Sequence, residues 1–184
     1  MTRVRICEYG AGNTRSVEIA FRRLGADVGV SEDPVEIVAA DLAVLPGVGS
    51  AASAMGGLRA RGLHEALRAR IAAGGRTLGI CLGLQLALEQ SEEDGGVSCL
   101  GLLPGRAVRL QDGRVPRIGW APVEPLGGAF YFAHSYVAET SAATATSEGI
   151  VAEAKLGSFV GVQFHPEKSG AAGARYLERC LSHD

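Results

Sequence analysis

The segment Thr77-Leu-Gly-Ile-Cys81-Leu-Gly-Leu-Gln-Leu86 decides how this chain folds. A strand pattern over 76–80 meets a helix pattern over 82–90 with no linker between them. Glycine stands two residues before Cys81 and two residues after it. That is the nucleophile-elbow pattern, with cysteine in the place of serine. A strand-to-helix turn this tight brings backbone close to backbone and pushes its central residue toward unfavourable φ/ψ. The turn lifts the Cys81 sulfur out at the carboxyl edge of a sheet. It also sets the thiol at a helix N-terminus, where the backbone field favours a thiolate. The Leu82 N–H then points toward any oxyanion formed by attack at Cys81. Cys7, Cys99 and Cys180 lack this context and read as small core hydrophobes.

On the N-terminal side, strands and helices alternate. Residues 4–7 form an apolar strand that ends at the Gly-rich Tyr9-Gly-Ala-Gly-Asn13. A helix follows with Val17, Ala20, Phe21 and Leu24 on one face and Gly25 as its stop. Strands are expected over 26–30 and in the apolar run that leads into Pro46-Gly-Val-Gly-Ser50. A helix over 62–75 turns Leu63, Leu67 and Ile71 inward and ends at Gly74. Fully apolar strands alternating with helices imply a parallel sheet covered on both faces.

The second half changes character. Residues 105–123 read as two strands around the turn Gln111-Asp-Gly-Arg114. Residues 129–139, 149–157 and 158–164 read as further strands in antiparallel arrangement. A closing helix over 170–184 packs Ala174, Leu177 and Leu181, with His183 at its frayed end. The whole chain, 1–184, reads as one domain.

Near the C-terminus, Gly161-Val-Gln-Phe-His165-Pro-Glu167-Lys168 is a strand that breaks at Pro166. Reactive groups of α/β sheets collect at the carboxyl ends of strands. Cys81 and His165 each follow an apolar strand, so neighbouring strands would let the imidazole reach the thiol. Glu167 would take the other ring N–H and fix the tautomer. Of the other histidines, His64 reads as part of a solvated helix face, and His134 as a site residue or a satisfied interior one.

Composition excludes several function classes. With 18 basic and 20 acidic residues and 5% aromatics, nothing favours nucleic acid or an anionic membrane as partner. The four cysteines form no C-x-x-C pair, and no signal peptide or membrane span is visible, so a reducing cytoplasm is the expected setting. No metal or other cofactor is expected.

These residues resemble the class I glutamine amidotransferases, on 79–93 and on Val162-Gln-Phe-His165-Pro-Glu-Lys-Ser169. The segments 9–25, 45–50, 117–123, 130–139 and 161–170 narrow the resemblance to glutaminase subunits of imidazole glycerol phosphate synthase. It covers nearly the whole chain. It implies a three-layer αβα, flavodoxin-like α/β fold with a mixed, mostly parallel sheet and a small antiparallel extension. It also implies a Cys81-His165-Glu167 triad that hydrolyses glutamine to glutamate and ammonia.

By the same resemblance, Leu82 and Val48, or Val48's neighbour Gly47, supply the oxyanion hole. Gly49, Gln85, Glu93, His134, Ser135 and Tyr136 hold the substrate. Lys168 and Trp120 face the partner, a TIM-barrel cyclase subunit carried on a separate chain. The ammonia would serve formation of imidazole glycerol phosphate and an aminoimidazole carboxamide ribotide. Against the usual pattern, Glu8 replaces Asp, Ala51 replaces Phe, Arg117 replaces His and Ala121 replaces Asn, which puts one polar interface contact in doubt. Glutaminases serving pyridoxal phosphate, anthranilate or GMP formation are the nearest rivals. A non-catalytic relative on the same fold is a rival of another class, but would be expected to have lost the cysteine or the histidine. The elbow alone does not exclude another cysteine hydrolase.

Overall fold

The computed structural model describes residues 1–10, 12–111 and 113–182; the expected turn at Asp112 and the terminal His183 lie outside them. In chain order the elements are β1 (Arg3–Cys7), α1 (Thr14–Arg23), β2 (Asp27–Ser31), α2 (Pro34–Ala39), β3 (Leu42–Leu45), α3 (Ala51–Ala60), α4 (Leu63–Ala72), β4 (Thr77–Ile80) and α5 (Leu82–Ala87). The second half holds β5 (Gln90–Ser91), β6 (Val97–Ser98), β7 (Arg106–Arg109), β8 (Arg117–Pro122), β9 (Ala129–His134), β10 (Tyr136–Glu139), β11 (Ala143–Ser147), β12 (Ile150–Leu156), β13 (Phe159–Val162) and α6 (Gly170–Leu181).

The central sheet runs β11-β12-β13-β4-β3-β1-β2. From β13 to β2 every neighbour is parallel, and β12 and β11 extend the sheet antiparallel. β3 and β4 are buried along their whole length because both their faces are covered. On one face Val17 and Phe21 of α1 and Tyr176 and Leu177 of α6 pack against Ile6, Val44, Ile80 and Val162. On the other, Ile37 of α2, Met55 and Leu58 of α3 and Leu63 and Leu67 of α4 cover Ala43 and Leu45. Leu84 of α5 packs with Phe159 and Ala154. The result is the expected three-layer architecture. No described helix is long and apolar enough to cross a membrane.

Several local expectations are corrected. Two helices, α2 and α3, occupy segments for which the sequence raised no expectation. Asp33 caps α2 through a 2.8 Å bond from the Val35 N–H, and Pro34 sits in its first turn. The helix after Cys81 ends at Ala87, because Gln90–Ser91 leaves it to pair with β6 and β7. The two strands expected to flank one turn do not pair with each other: β7 pairs with β10, and β8 with β9. The strand expected over 129–139 is two strands, broken at Ser135. β13 is antiparallel to β12 but parallel to β4, so it belongs to the main sheet. In α6 the buried residues are Gly173, Tyr176 and Leu177, Leu181 packs partly buried against the core as expected, and Ala174 is exposed.

Beneath the carboxyl end of β13 lies an aromatic cluster. Phe164 is fully buried, 4.2 Å between centroids from Phe130 and 5.3 Å from Tyr176. Phe164→Ala should cost about 3–5 kcal/mol of folding stability, read by urea denaturation, because the cavity it leaves is walled by rigid rings. A loss below about 1 kcal/mol would show that this cluster is not a fixed support.

Candidate active site

Cys81 terminates β4 with φ 53° and ψ −107°, a conformation that non-glycine residues rarely hold. The flanking glycines explain how it is tolerated. A Cβ at position 79 would lie 2.8 Å from the Gly83 carbonyl oxygen, and one at position 83 would collide with the Leu45 carbonyl oxygen. The chain crosses itself here at backbone distance, and α5 begins at the next residue.

β13 runs beside β4 with Val162 opposite Ile80, and the Cys81 N–H donates to the Val162 carbonyl at 2.7 Å. The segment leaving β13 therefore emerges next to the thiol. His165 is stitched in place by its N–H, which donates to Tyr131 O at 2.8 Å. The Ser169 hydroxyl donates to His165 O at 2.6 Å, and the Tyr131 N–H donates to Ser169 Oγ at 3.0 Å. His165 Nδ1 donates to Glu167 Oε1 at 2.8 Å, with the Glu167 side chain 1% exposed. Burial disfavours the imidazolium, but the hydrogen bonds and charges of Cys81 and Glu167 outweigh it and raise His165 to about 9.

In front of the thiol lies a cavity of about 310 Å³. Cys81, Leu82 and Gln85 form its base, and Gly47, Val48 and Gly49 one wall. His134, Ser135 and Tyr136, where the chain passes from β9 to β10, line it too, as does Glu93. All ten of these residues were expected at the site from the sequence. His165 and Glu167 sit behind, in a crevice shared with Gly47 and Val48.

The geometry sharpens some of these expectations. Glu93 accepts from the Ala51 N–H at 2.8 Å, so its carboxylate caps α3, and burial raises its pKa. Gln85 spends its amide nitrogen on Tyr136 O at 2.9 Å and on Gln163 Oε1 at 3.2 Å. His134 directs Nδ1 at Tyr136 O, 3.0 Å away, which assigns the ring proton to Nδ1 and leaves Nε2 as an acceptor. That Nε2 is buried and has no partner among the described residues. Burial lowers the His134 pKa to about 4 despite the bond to Tyr136, and nearby Arg117 adds to the depression.

Lys168 is exposed, and Trp120 is 58% exposed against the edge of Tyr131. Ile118 (65%) and Val48 (41%) are exposed beside the cavity. Arg117 stacks 4.3 Å over Phe132 and pairs with Glu148 at 2.7 Å. Ala121 faces the core at 6% exposure, so the contact expected to be lost with Asn was assigned to an inward position. Gln163, Ile118, Pro116 and Ala133 were not anticipated. The alternation of β8 is the one sequence signal that could have exposed Ile118.

Residues 5–118 match the model of the CobB/CobQ-like glutamine amidotransferase domain. The chain is 46% identical to the imidazole glycerol phosphate synthase subunit HisH of Methanothermobacter thermautotrophicus, covering 95% of each chain. It is 44% identical to the HisH of Symbiobacterium thermophilum, over 96% of this chain and 92% of that one. Among solved structures it resembles a glutamine amidotransferase with a TM-score of 0.80 at 19% identity, covering 97% of both chains. It resembles PurLQS from Thermotoga maritima with a TM-score of 0.75 at 17% identity, over 98% of each chain. The structural likenesses establish the fold alone, and the sequence relatives establish the family: this chain belongs to the HisH subunits of imidazole glycerol phosphate synthase.

Proposed function

We propose that this chain hydrolyses glutamine through Cys81, His165 and Glu167 and delivers the ammonia to a separate cyclase subunit. The observation that carries the reading is the pairing of β4 with β13. It sets a strained cysteine and a carboxylate-oriented histidine at the ends of adjacent parallel strands. The Cys81 thiolate attacks the side-chain carbonyl carbon of glutamine. Leu82 N–H and a peptide N–H at Val48 or Gly47 receive the oxyanion. The His165 imidazolium protonates the leaving nitrogen, ammonia departs, and a glutamyl thioester remains. His165, now neutral, takes a proton from water as it attacks the thioester. Collapse expels the Cys81 thiolate and releases glutamate.

The raised pKa of His165 keeps its ring protonated for transfer to the leaving nitrogen, and Glu167 holds the ring orientation that this transfer requires. The α-ammonium of glutamine needs acceptors. His134 Nε2 is a neutral acceptor walled into the cavity, and Glu93 supplies negative charge near it. The exposed Val48, Ile118 and Trp120 with Lys168 suit a docking face beside the cavity mouth. A partner there would press on Val48, which belongs to the oxyanion loop. Trp120 meets Tyr131, whose backbone holds His165. Partner contact is therefore read at both halves of the site.

Glutamate release by the isolated chain should be slow, and should rise on adding a cyclase subunit with its nucleotide ligand. Cys81→Ala should remove at least about a thousand-fold of the stimulated rate while leaving the complex intact. Fast partner-independent turnover would contradict the gated reading, and a Cys81→Ala enzyme that still forms glutamate would remove the nucleophile.

The histidines also set opposite pH slopes for stability. His134 is depressed to about 4, below its unfolded value near 6.5. Between these values the unfolded chain binds a proton that the folded chain does not, so stability falls as pH drops from about 6.5 toward 4. His165, raised to about 9, contributes stability that is full below about 6.5 and lost as pH rises through 9. Melting temperatures of His134→Gln should show a shallower acid slope than the native chain. Identical slopes would show that His134 is not held neutral.

A further inference from the structure

Gln163 is fully buried, two residues before His165, and its amide has one consistent orientation. The Tyr136 carbonyl can only accept, so the Gln85 atom that meets it at 2.9 Å is the amide nitrogen. The same nitrogen lies 3.2 Å from Gln163, which must present its oxygen there. Gln163 Nε2 is left facing Cys81 Sγ at 3.6 Å. On another side of the sulfur, Ala133 O stands at 3.8 Å. A carbonyl oxygen accommodates a thiol proton but repels a thiolate, whereas an amide N–H stabilises the thiolate. We propose that Gln163 is a positioning residue of the glutaminase reaction, donating an amide N–H to the Cys81 thiolate and tying it to Gln85 in the cavity floor.

This inference rests on Cys81 being the nucleophile. Ionisation of Cys81 then exchanges partners. The thiol bonds Ala133 O, and the thiolate is held between Gln163 and His165. The Tyr136–Gln85–Gln163 chain runs from two residues that line the cavity to the buried Gln163 behind them, so a substrate that settles against Tyr136 and Gln85 acts on the donor that holds the sulfur.

The test is the pH profile of iodoacetamide alkylation of the full chain, followed at the Cys81 peptide by mass spectrometry. Burial holds the Cys7 and Cys180 thiols at about 12 and Cys99 at about 11, so they stay silent below pH 9. Two variants are compared. Gln163→Met keeps bulk but no polar group. Gln163→Glu keeps an acceptor for Gln85 in nearly the same shape but no amide donor. Loss of one hydrogen bond to a charged group should move the acid limb up by about one to two pH units. In complex with the cyclase, kcat should fall about tenfold or more while KM changes far less. An acid limb that superimposes on the native one in either folded variant overturns the proposal. A native chain with no Cys81 limb overturns the nucleophile assignment itself, and this inference with it.

Discussion

At residue 81 the chain leaves a buried parallel strand and enters a helix within one residue, and the rest of the structure depends on that crossing. It requires a positive φ at Cys81 and bare backbone at Gly79 and Gly83, because the carbonyls of Gly83 and Leu45 stand where side chains would go. A side chain at either position would push β4, α5 and β3 apart. The sulfur would then leave its place beside Ala133 O and Gln163 Nε2. The strain is held by a core whose strands are buried on both faces.

Around that point the molecule separates rigid parts from adaptable ones. The histidine side is fixed by a closed set of hydrogen bonds among the Tyr131 and His165 backbones and the Ser169 hydroxyl, with Phe164 packed beneath. The side proposed to receive the oxyanion is a short loop whose Val48 is exposed, although the Tyr9 hydroxyl donates to Pro46 O at the loop's start. A site built this way holds the proposed base, His165, and its orienter, Glu167, in fixed positions. Its electrophilic half remains accessible to a partner, which suits an enzyme whose ammonia is wanted only when a second subunit is ready for it.

The elbow and the His165-Pro-Glu167 turn were legible because each is a local steric or chemical pattern, complete within a few residues. The sheet's parallel core was legible from unbroken apolar runs such as Leu42–Leu45. What stayed hidden depends on partners distant in sequence. α3 contains Gly56 and Gly57, which mask a helical pattern, and a carboxylate from Glu93 completes its N-terminus. β7 and β8 read as neighbours because only a turn separates them, yet each finds its hydrogen bonds elsewhere. Gln163 reads as an ordinary strand residue; its role follows from Tyr136 fixing Gln85, and Gln85 fixing Gln163 in turn. No sequence pattern encodes that orientation.

The central claim is that one cysteine, set by the elbow, becomes covalently acylated. Rapid acid quenching of the chain mixed with cyclase, nucleotide ligand and glutamine, followed by peptide mass spectrometry, tests it directly. A glutamyl adduct on Cys81, absent from Cys7, Cys99 and Cys180, is the predicted result. Glutamate formation with no adduct at Cys81 in the pre-steady state, or an adduct on another residue, would contradict the account.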